Sequence, residues 1–451
     1  MSISLLIIIL FIIGYTFIVL EHPLVMDKTA PALLTGVITW AVYIIAAGQF
    51  GVSFEGLDHT LAELTQMFGH EVTPLEGVEH QFMHHLSEIA SILFFLMGAM
   101  TIVELIDMHD GFQVIISKIN TTNKRKLLWI LCILTFFLSA VLDNLTTSIV
   151  MISLIRKILK HKTHRLLFAG MVVIAANAGG AWSPIGDITT TMLWIGGQIS
   201  AGKTVIALII PSLICLLVPL VVISRKLKGD FYRPKVYVNY KTTLFERTLI
   251  LALGVGGLLF VPLFKTVTHL PPFMGMFFAV GILWATTEII HKRKTLDEKS
   301  RYSVYTALSR IDAPSMLFFF GILAAITCLE SIGKLAQLAV LLDTYIGNED
   351  IIVIAIGLLS AIVDNVPLVA ASMGMYDIGT FPMDDKLWQF IAYCAGTGGS
   401  ILIIGSAAGV AIMGIQKIDF IWYLRKIGPL AFIGYIAGAL AYLGMYKLYM
   451  G

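Results

Sequence analysis

Three aspartates stand inside long apolar runs, where a carboxylate has no ordinary structural place. Two of them close the same motif, Ser-Ala-x-x-Asp-Asn, running from Ser139 to Asn144 with Asp143 and from Ser360 to Asn365 with Asp364. The third, Asp187, ends the string Gly179-Gly180-x5-Gly186-Asp187. An ionised carboxylate at the centre of a bilayer costs at least about 2.5–3.5 kcal/mol on insertion scales, and such residues line a site or a pathway. Hard oxygen donors surround them: Asn144, Thr146, Thr147, Asn177, Ser183, Thr189, Thr190, Asn365, Ser400 and Ser406. Carboxylates, amides, hydroxyls and backbone carbonyls, without thiol or imidazole, are the ligand set of a hard cation. Helix N-termini at a chain break would suit an anion instead. No Lys or Arg lies near the breaks to neutralise the aspartates, so a cation is the better fit. The same carboxylates can hold a proton or a small cation, the minimum apparatus for exchange by competition.

The elements that must position these residues are membrane helices. Of 451 residues, 57% are hydrophobic and 13% charged, with a mean hydropathy of +0.87, against about 25% charged in a soluble domain. Apolar runs at about 1–20, 31–50, 88–106, 204–223, 244–264, 272–290, 313–330 and 428–450 read as ordinary spans. The first lacks a basic leader region and a good cleavage context at Glu21-His22-Pro23, so it reads as a retained helix. The four cysteines, Cys132, Cys215, Cys328 and Cys394, sit singly in apolar runs and suit packing rather than disulfides or zinc. No Walker loop or nucleotide motif appears, which argues against ATP coupling.

Four further apolar stretches, 127–160, 166–200, 350–376 and 387–415, are interrupted by Asp, Asn, Ser, Thr, Gly or Pro. Both flanks of 127–160 are basic, Lys124-Arg125-Lys126 before and Arg156, Lys157, Lys160, Lys162 and Arg165 after, which places both in the cytoplasm. The flanks of 350–376 are acidic, Glu349-Asp350 before and Asp377, Asp384 and Asp385 after. These two stretches read as re-entrant hairpins entering from opposite faces, with tips at Asp143-Asn144 and Asp364-Asn365. Stretches 166–200 and 387–415 then cross as broken spans, eased by Pro184 and by glycines at 179–180 and 398–399; Pro367 fixes the break at the second tip. With ten spans, two hairpins and both termini outside, 26 of the 31 Lys and Arg residues fall on the cytoplasmic side and its borders.

The halves repeat. Ser91–Gly98 resembles Ser315–Gly321, the Ser-Ala-x-x-Asp-Asn motifs are offset by 221, and Gly179-Gly180-x5-Gly186-Asp187 matches Gly398-Gly399-x5-Gly405-Ser406 at an offset of 219. Inverted repeats with discontinuous helices mark secondary transporters that bind near the midplane. The expected fold is therefore an all-α integral membrane protein of about ten transmembrane helices plus two re-entrant hairpins, in two inverted-topology repeats with two discontinuous spans. The expected organisation is N-terminal scaffold helices at 1–50, an external His/acidic loop at 51–87, a first repeat at 88–223, scaffold helices at 244–290 and a second repeat at 313–451.

At this level the motifs SAVLDNLTTSIVM, NAGGAWSPIGDITTTM and SAIVDNVPLVAASM resemble the NhaD-type sodium/proton antiporters of the ion transporter (arsenite/dicarboxylate carrier-like) superfamily, from about residue 85 to the C-terminus. The resemblance implies exchange of Na+ or Li+ for H+, a homodimer of scaffold and transport domains, elevator-type movement and a bacterial inner membrane location. Its polar motif residues fall on Ser139, Asp143, Asn144, Asn177, Asp187, Thr189, Thr190, Ser360, Asp364 and Asn365, with Ser400 and Ser406 added from the last break. Asp143 and Asp364 are then the residues expected to bind Na+ and protons. No cofactor, enzymatic activity or nucleic-acid partner is implied beyond the transported ions and the bilayer. The alternatives are a Na+-coupled carrier of a small oxyanion or carboxylate and, further off, a passive cation channel.

Weaker signals remain. Glu88 and Asp312 precede the matching Phe-Phe spans and Glu104 and Glu330 close them; interface anchoring is the plain reading, and Glu88 is the candidate for a proton pathway. Residues 51–87 hold His59, His70, His80, His84 and His85, with six acidic residues and no Lys or Arg. A solvated amphipathic cap is the plain reading, a pH-sensing loop the next, and a metal at His80, His84 and His85 the last. Residues 107–123 and 331–347 look amphipathic, and the glycines at 254, 256, 257, 434, 438 and 444 suggest close helix packing.

Overall fold

The computed structural model describes residues 2–21, 26–50, 55–117, 119, 121–159, 161–227, 229–230 and 242–450. Among them there is no strand, and one isolated bridge pairs Asn123 with Asp230. Nine of the described helices are long and apolar enough to cross a bilayer, and counting the bent pair Ala407–Gln416 and Phe420–Lys426, which meet at 117°, as one span makes ten. The chain is a multi-pass, all-α membrane protein. Helix Ile3–Val19, at 17 residues, is a shorter apolar helix, whereas Lys124–Leu142, read from sequence as one arm of a hairpin, is span-length by itself.

All four interrupted stretches are broken where the polar residues fall. Lys124–Leu142 is followed by Asn144–Ile158 with Asp143 alone between them. Lys162–Ala181 gives way to Ile188–Ile195, Glu349–Leu359 to Asn365–Met375, and Lys386–Gly398 to Ala407–Gln416. The new helices start on side-chain caps: Asp143, Asp187 and Ser406 accept from Thr146, Thr189 and Gly409 N–H respectively.

The expected external loop at 51–87 is instead largely helical, and this corrects the sequence reading. Glu55–Phe68 is one helix, and the span expected at 88–106 starts at Pro74 and runs 35 residues to Met108. Thr73 and Glu76 cap its start reciprocally, and no breaker interrupts the sequence afterwards. The His and acidic content pointed to water, which a helix face tolerates as well as a loop. In 107–123 the only described helix is Gly111–Ile116, whereas 331–347 carries helix Lys334–Ile346. Side chains of His59 and residues 296–298 lie outside the described residues, as do residues 231–241.

The chain divides into two compact units. One comprises residues 1–94, 312–352 and 366–382. Its centre is the crossing of Thr29–Phe50 on Ala313–Ser331. A Cβ on Gly36 would lie 2.5 Å from the Gly321 carbonyl oxygen, and one on Gly321 would lie 2.5 Å from Leu33 N. Trp40 Nε1 donates to Ala324 O at 2.8 Å across the same contact.

The other unit comprises residues 95–311, 353–365 and 383–451. Its centre is formed by the first arms of the two broken spans, buried continuously from Phe168 to Ala181 and from Leu387 to Gly398. Helices this apolar all round belong inside a bundle. Asp384 N–H donates to Gln198 O at 2.8 Å and Ser200 N–H to Asp384 Oδ1 at 2.6 Å. The end of the first broken span thus meets the start of the second, so the two run in opposite senses. Gly434, Gly438, Gly254 and Gly257 do sit at close helix contacts; Gly256 and Gly444 face open space, so for those two the packing expectation fails.

At one end of this unit the rings of His109 and His291 stack at 5.1 Å with 5° between planes, each 5.0 Å from Tyr302. Lys294 pairs with Glu246 at 2.9 Å beside them. Burial, with Lys294 and His109 nearby, pushes His291 down to about 4, and burial also lowers His109. The unfolded chain therefore binds more protons than the folded one between about pH 6.5 and 4. Stability carried by the neutral pair is expected to be complete above that window and to fall as pH drops through it. Thermal unfolding of the purified protein between pH 7.5 and 4.5 checks this: the wild-type midpoint should fall more steeply than that of His291→Phe, and parallel curves would contradict it.

Candidate functional site

The three intramembrane aspartates all lie in the second unit. Asp143 is the one residue between its two helices, at φ 82° and ψ 159°, a conformation that costs a non-glycine residue energy. Its carboxylate recovers part of that cost as a cap. Oδ1 accepts from Thr146 N–H at 2.8 Å and Oδ2 from the Thr146 hydroxyl at 2.8 Å. In the second half the residue three beyond Asp364 is Pro367, which has no N–H to offer.

The repeat legible in the sequence reappears as matched bracing. Ser139 Oγ donates to Ala176 O at 2.6 Å, and Ser360 Oγ donates to Ala395 O at 3.1 Å and Gly357 O at 2.8 Å. Gly186 lies against the Ser139 carbonyl and Ala140 Cα, and Gly405 against Ala361 Cα and its carbonyl. Gly180 packs on Gly186 as Gly399 packs on Gly405, with the carbonyl oxygen 2.5 Å from where a Cβ would stand in both cases. Each Ser-Ala motif therefore clamps the break of its own broken span at distances that leave no room for a side chain.

Within this matched frame the polar groups converge unequally. Asp187 is 2% exposed and is the acceptor at the centre. Its Oδ1 caps Ile188–Ile195, accepting from Thr189 N–H at 3.0 Å and the Thr189 hydroxyl at 2.8 Å. Its Oδ2 accepts from Asn144 Nδ2 at 2.6 Å, and Asn365 Nδ2 reaches Oδ1 at 3.5 Å. The amides of both Asp-Asn tips thus point at one carboxylate. Asp364 and Asp143 both lie within electrostatic range of it. Among the described residues no Lys or Arg forms an ion pair with Asp143 or Asp187.

Asn177 ties the halves together. It accepts from Asn144 Nδ2 at 3.2 Å and donates to Ser400 Oγ at 3.0 Å and Ser406 Oγ at 2.9 Å. Ser406 occupies the repeat position of Asp187, and Gly396 that of Asn177. One half thus supplies the carboxylate and the bridging amide where the other supplies a hydroxyl and a glycine.

The structure brings Asn144, Asn177, Asp187, Thr189, Asn365, Ser400 and Ser406 into one hydrogen-bonded set, while the Asp143 carboxylate is bonded to Thr146. Thr190 lies at the break, its hydroxyl donating to Ser183 O at 2.8 Å and Asp187 O at 2.9 Å. Ser139 and Ser360 likewise spend their protons on backbone carbonyls. Glu88 belongs to the other unit, where it is half exposed, 3.6 Å from His84 and 3.5 Å from His85. Glu330 lies in that unit too, its carboxyl against Gly374. Among the described residues no group of three His, Cys, Asp or Glu side chains is arranged to hold a metal ion, His80, His84 and His85 included. Sequence reasoning passed over Ser148: its hydroxyl and that of Thr147 are buried one turn beyond Asp143 with no partner among the described residues. The signal was available, since both follow the Asp-Asn break directly.

The chain matches a family model described as "Citrate transporter" over residues 8–388. It is 46% identical over 442 residues to "Sodium/proton antiporter 1" of Arabidopsis thaliana, covering 98% of this chain and 72% of that protein. It is 44% identical to "Sodium/proton antiporter 2" of the same plant, covering 97% and 99%. It is 30% identical over 467 residues to "Na(+)/H(+) antiporter NhaD" of Vibrio cholerae, covering 96% and 90%.

The 2.6 Å bond from Asn144 to Asp187 is buried and made to a carboxylate, a class of hydrogen bond worth about 1.5–3 kcal/mol. Asn144→Ala is expected to lower the stability of the detergent-purified protein by about that amount, read by chemical denaturation. A variant as stable as the wild type would show that Asp187 does not depend on this amide.

Proposed function

Because the chain belongs to the NhaD-type sodium/proton antiporters, within the citrate-transporter-like ion transporters, we propose that it exchanges Na+ or Li+ for H+ across a membrane. The observation that carries this reading is the convergence of both tip amides on Asp187, with two further carboxylates nearby.

Three carboxylates confined in a low-dielectric interior cannot all remain ionised without counter-charge. With no basic residue paired to Asp143 or Asp187, the counter-charge is a proton or a small cation. Asp143 and Asp364 bind these alternately, and Asp187 holds the tips in register. Asn144 and Asn365 present an N–H edge to Asp187 and a carbonyl oxygen to the cation. Thr189, Ser400 and Ser406 complete the shell. A cation arriving from one side releases protons, and protons arriving from the other side release the cation. The broken spans and tips then move as one body in an elevator-type cycle within a homodimer, with Glu88 on the proton route. Both termini lie outside, in a bacterial inner membrane.

The "Citrate transporter" description favours one second reading, a Na+-coupled carrier of a small carboxylate. Na+ alone collapsing a preset pH gradient in proteoliposomes supports exchange; a requirement for added citrate supports the carrier.

Asp143→Asn and Asp364→Asn are each expected to abolish Na+-driven proton movement in such vesicles, and normal exchange by both would end the assignment. Competition also fixes a sign. The half-saturating Na+ concentration should fall as pH rises, by up to about tenfold per unit while protons occupy the site. A value independent of pH would contradict a shared site.

A further inference from the structure

Helix Ile188–Ile195 has Asp187 at its N-cap and only eight residues. So short a helix does not hold its shape or position unaided. Its far end has carbonyls that need donors. Gly196 N–H serves Met192 O at 2.8 Å, and Gln198 N–H serves Leu193 O at 2.9 Å. Trp194 O is served from another element: Lys265 Nζ donates to it at 2.8 Å and stands 4.8 Å from the centre of the Trp194 ring. Trp194 is 3% exposed, and Phe95 meets its ring edge-on at 6.2 Å. Among the described residues no carboxylate pairs with Lys265, so the ammonium is committed to this one residue. A cation at a helix C-terminus and an anion at its N-terminus both suit the helix dipole.

We propose that Lys265 is a positioning residue, fixing the far end of Ile188–Ile195 so that Asp187 stands where both asparagine amides reach it. The inference rests on the reading of Asp187 as the residue that holds both tips of the cation site in register. Trp194 is seven residues from Asp187, roughly 10 Å along the helix. A tilt at the tryptophan is transmitted to the carboxylate, because Asp187 caps this same short helix. The 3.5 Å contact from Asn365 is the first to be lost, being the longest. Lys265 comes from helix Leu244–Thr268, which packs on Pro272–Ile290 where Gly257 meets Ala279. A lysine that served only to stabilise the fold would change expression and unfolding, with no selective effect on cation affinity.

The test compares wild type, Lys265→Met, Lys265→Arg and the surface control Lys334→Met in proteoliposomes. Na+ dependence of proton flux is measured alongside hydrogen exchange of the purified proteins. Lys265→Met is expected to raise the half-saturating Na+ concentration at least about fivefold with maximal rate within twofold. It is also expected to speed amide exchange in 188–195. Lys265→Arg, which keeps the cation and its donors, should restore both readouts, and Lys334→Met should match wild type. Unchanged exchange in 188–195, or a fall in maximal rate without a shift in half-saturation, would overturn the inference. If wild type itself moves no protons in response to Na+, the exchange reading fails and the affinity claim with it. The anchoring of the helix is then decided by the amide exchange rates.

Discussion

A helix broken inside a bilayer has no water to satisfy its free N–H and C=O groups, so the protein must do so itself. The rest of this structure depends on how that demand is met at Asp187. One oxygen of its carboxylate caps the helix that follows the break, and the other receives the amide of the tip in its own half. The residue that repairs the backbone is therefore also the acceptor on which both tip amides converge. Hard acceptors are what a helix N-terminus needs, and they are what a small cation needs as well. The proposed cation site is thus built from the same groups that repair the break.

Duplication supplied a frame with two equivalent tips, and divergence made them unequal. Ser139 and Ser360 keep the same brace, and the glycine pairs keep the same close contacts. At the reacting positions the halves part. Asp187 stands opposite Ser406, Asn177 opposite Gly396, and Thr146 opposite Pro367. With Ser406 at the position that repeats Asp187, one central carboxylate stands where two would repel each other. Asn177 can then cross to Ser400 and Ser406 as a donor. Conserved bracing with unequal chemistry is what a site needs if it is to bind one ion or its protons while presenting alternate faces.

Much of this was legible in the sequence because intramembrane polarity is expensive and therefore informative. Every interruption predicted from Asp, Asn, Gly or Pro is a helix break, and the internal repeat became matched contacts. What failed to show was whatever depends on tertiary partners. The helix start within 51–87 is a local matter by contrast, since Thr73-x-x-Glu76 is a capping box legible in the sequence beneath the His and acidic content. Thr190, Ser139 and Ser360 have the side chains of cation ligands, and only the fold shows that their hydroxyls donate to backbone carbonyls at the breaks. Lys265 reads from sequence as one more basic residue near a span end; its hold on Trp194 exists only across the fold.

If protons and Na+ compete for the same aspartates, Na+ binding must release protons at equilibrium, without any requirement for transport. Purified protein in weakly buffered detergent solution is titrated with NaCl, with choline chloride as the control, while a pH dye reports released protons. The account predicts saturable release on Na+ addition, absent with choline and lost when Asp143 and Asp364 are both replaced by Asn. Saturable Na+ binding without any proton release from the wild-type protein would contradict it.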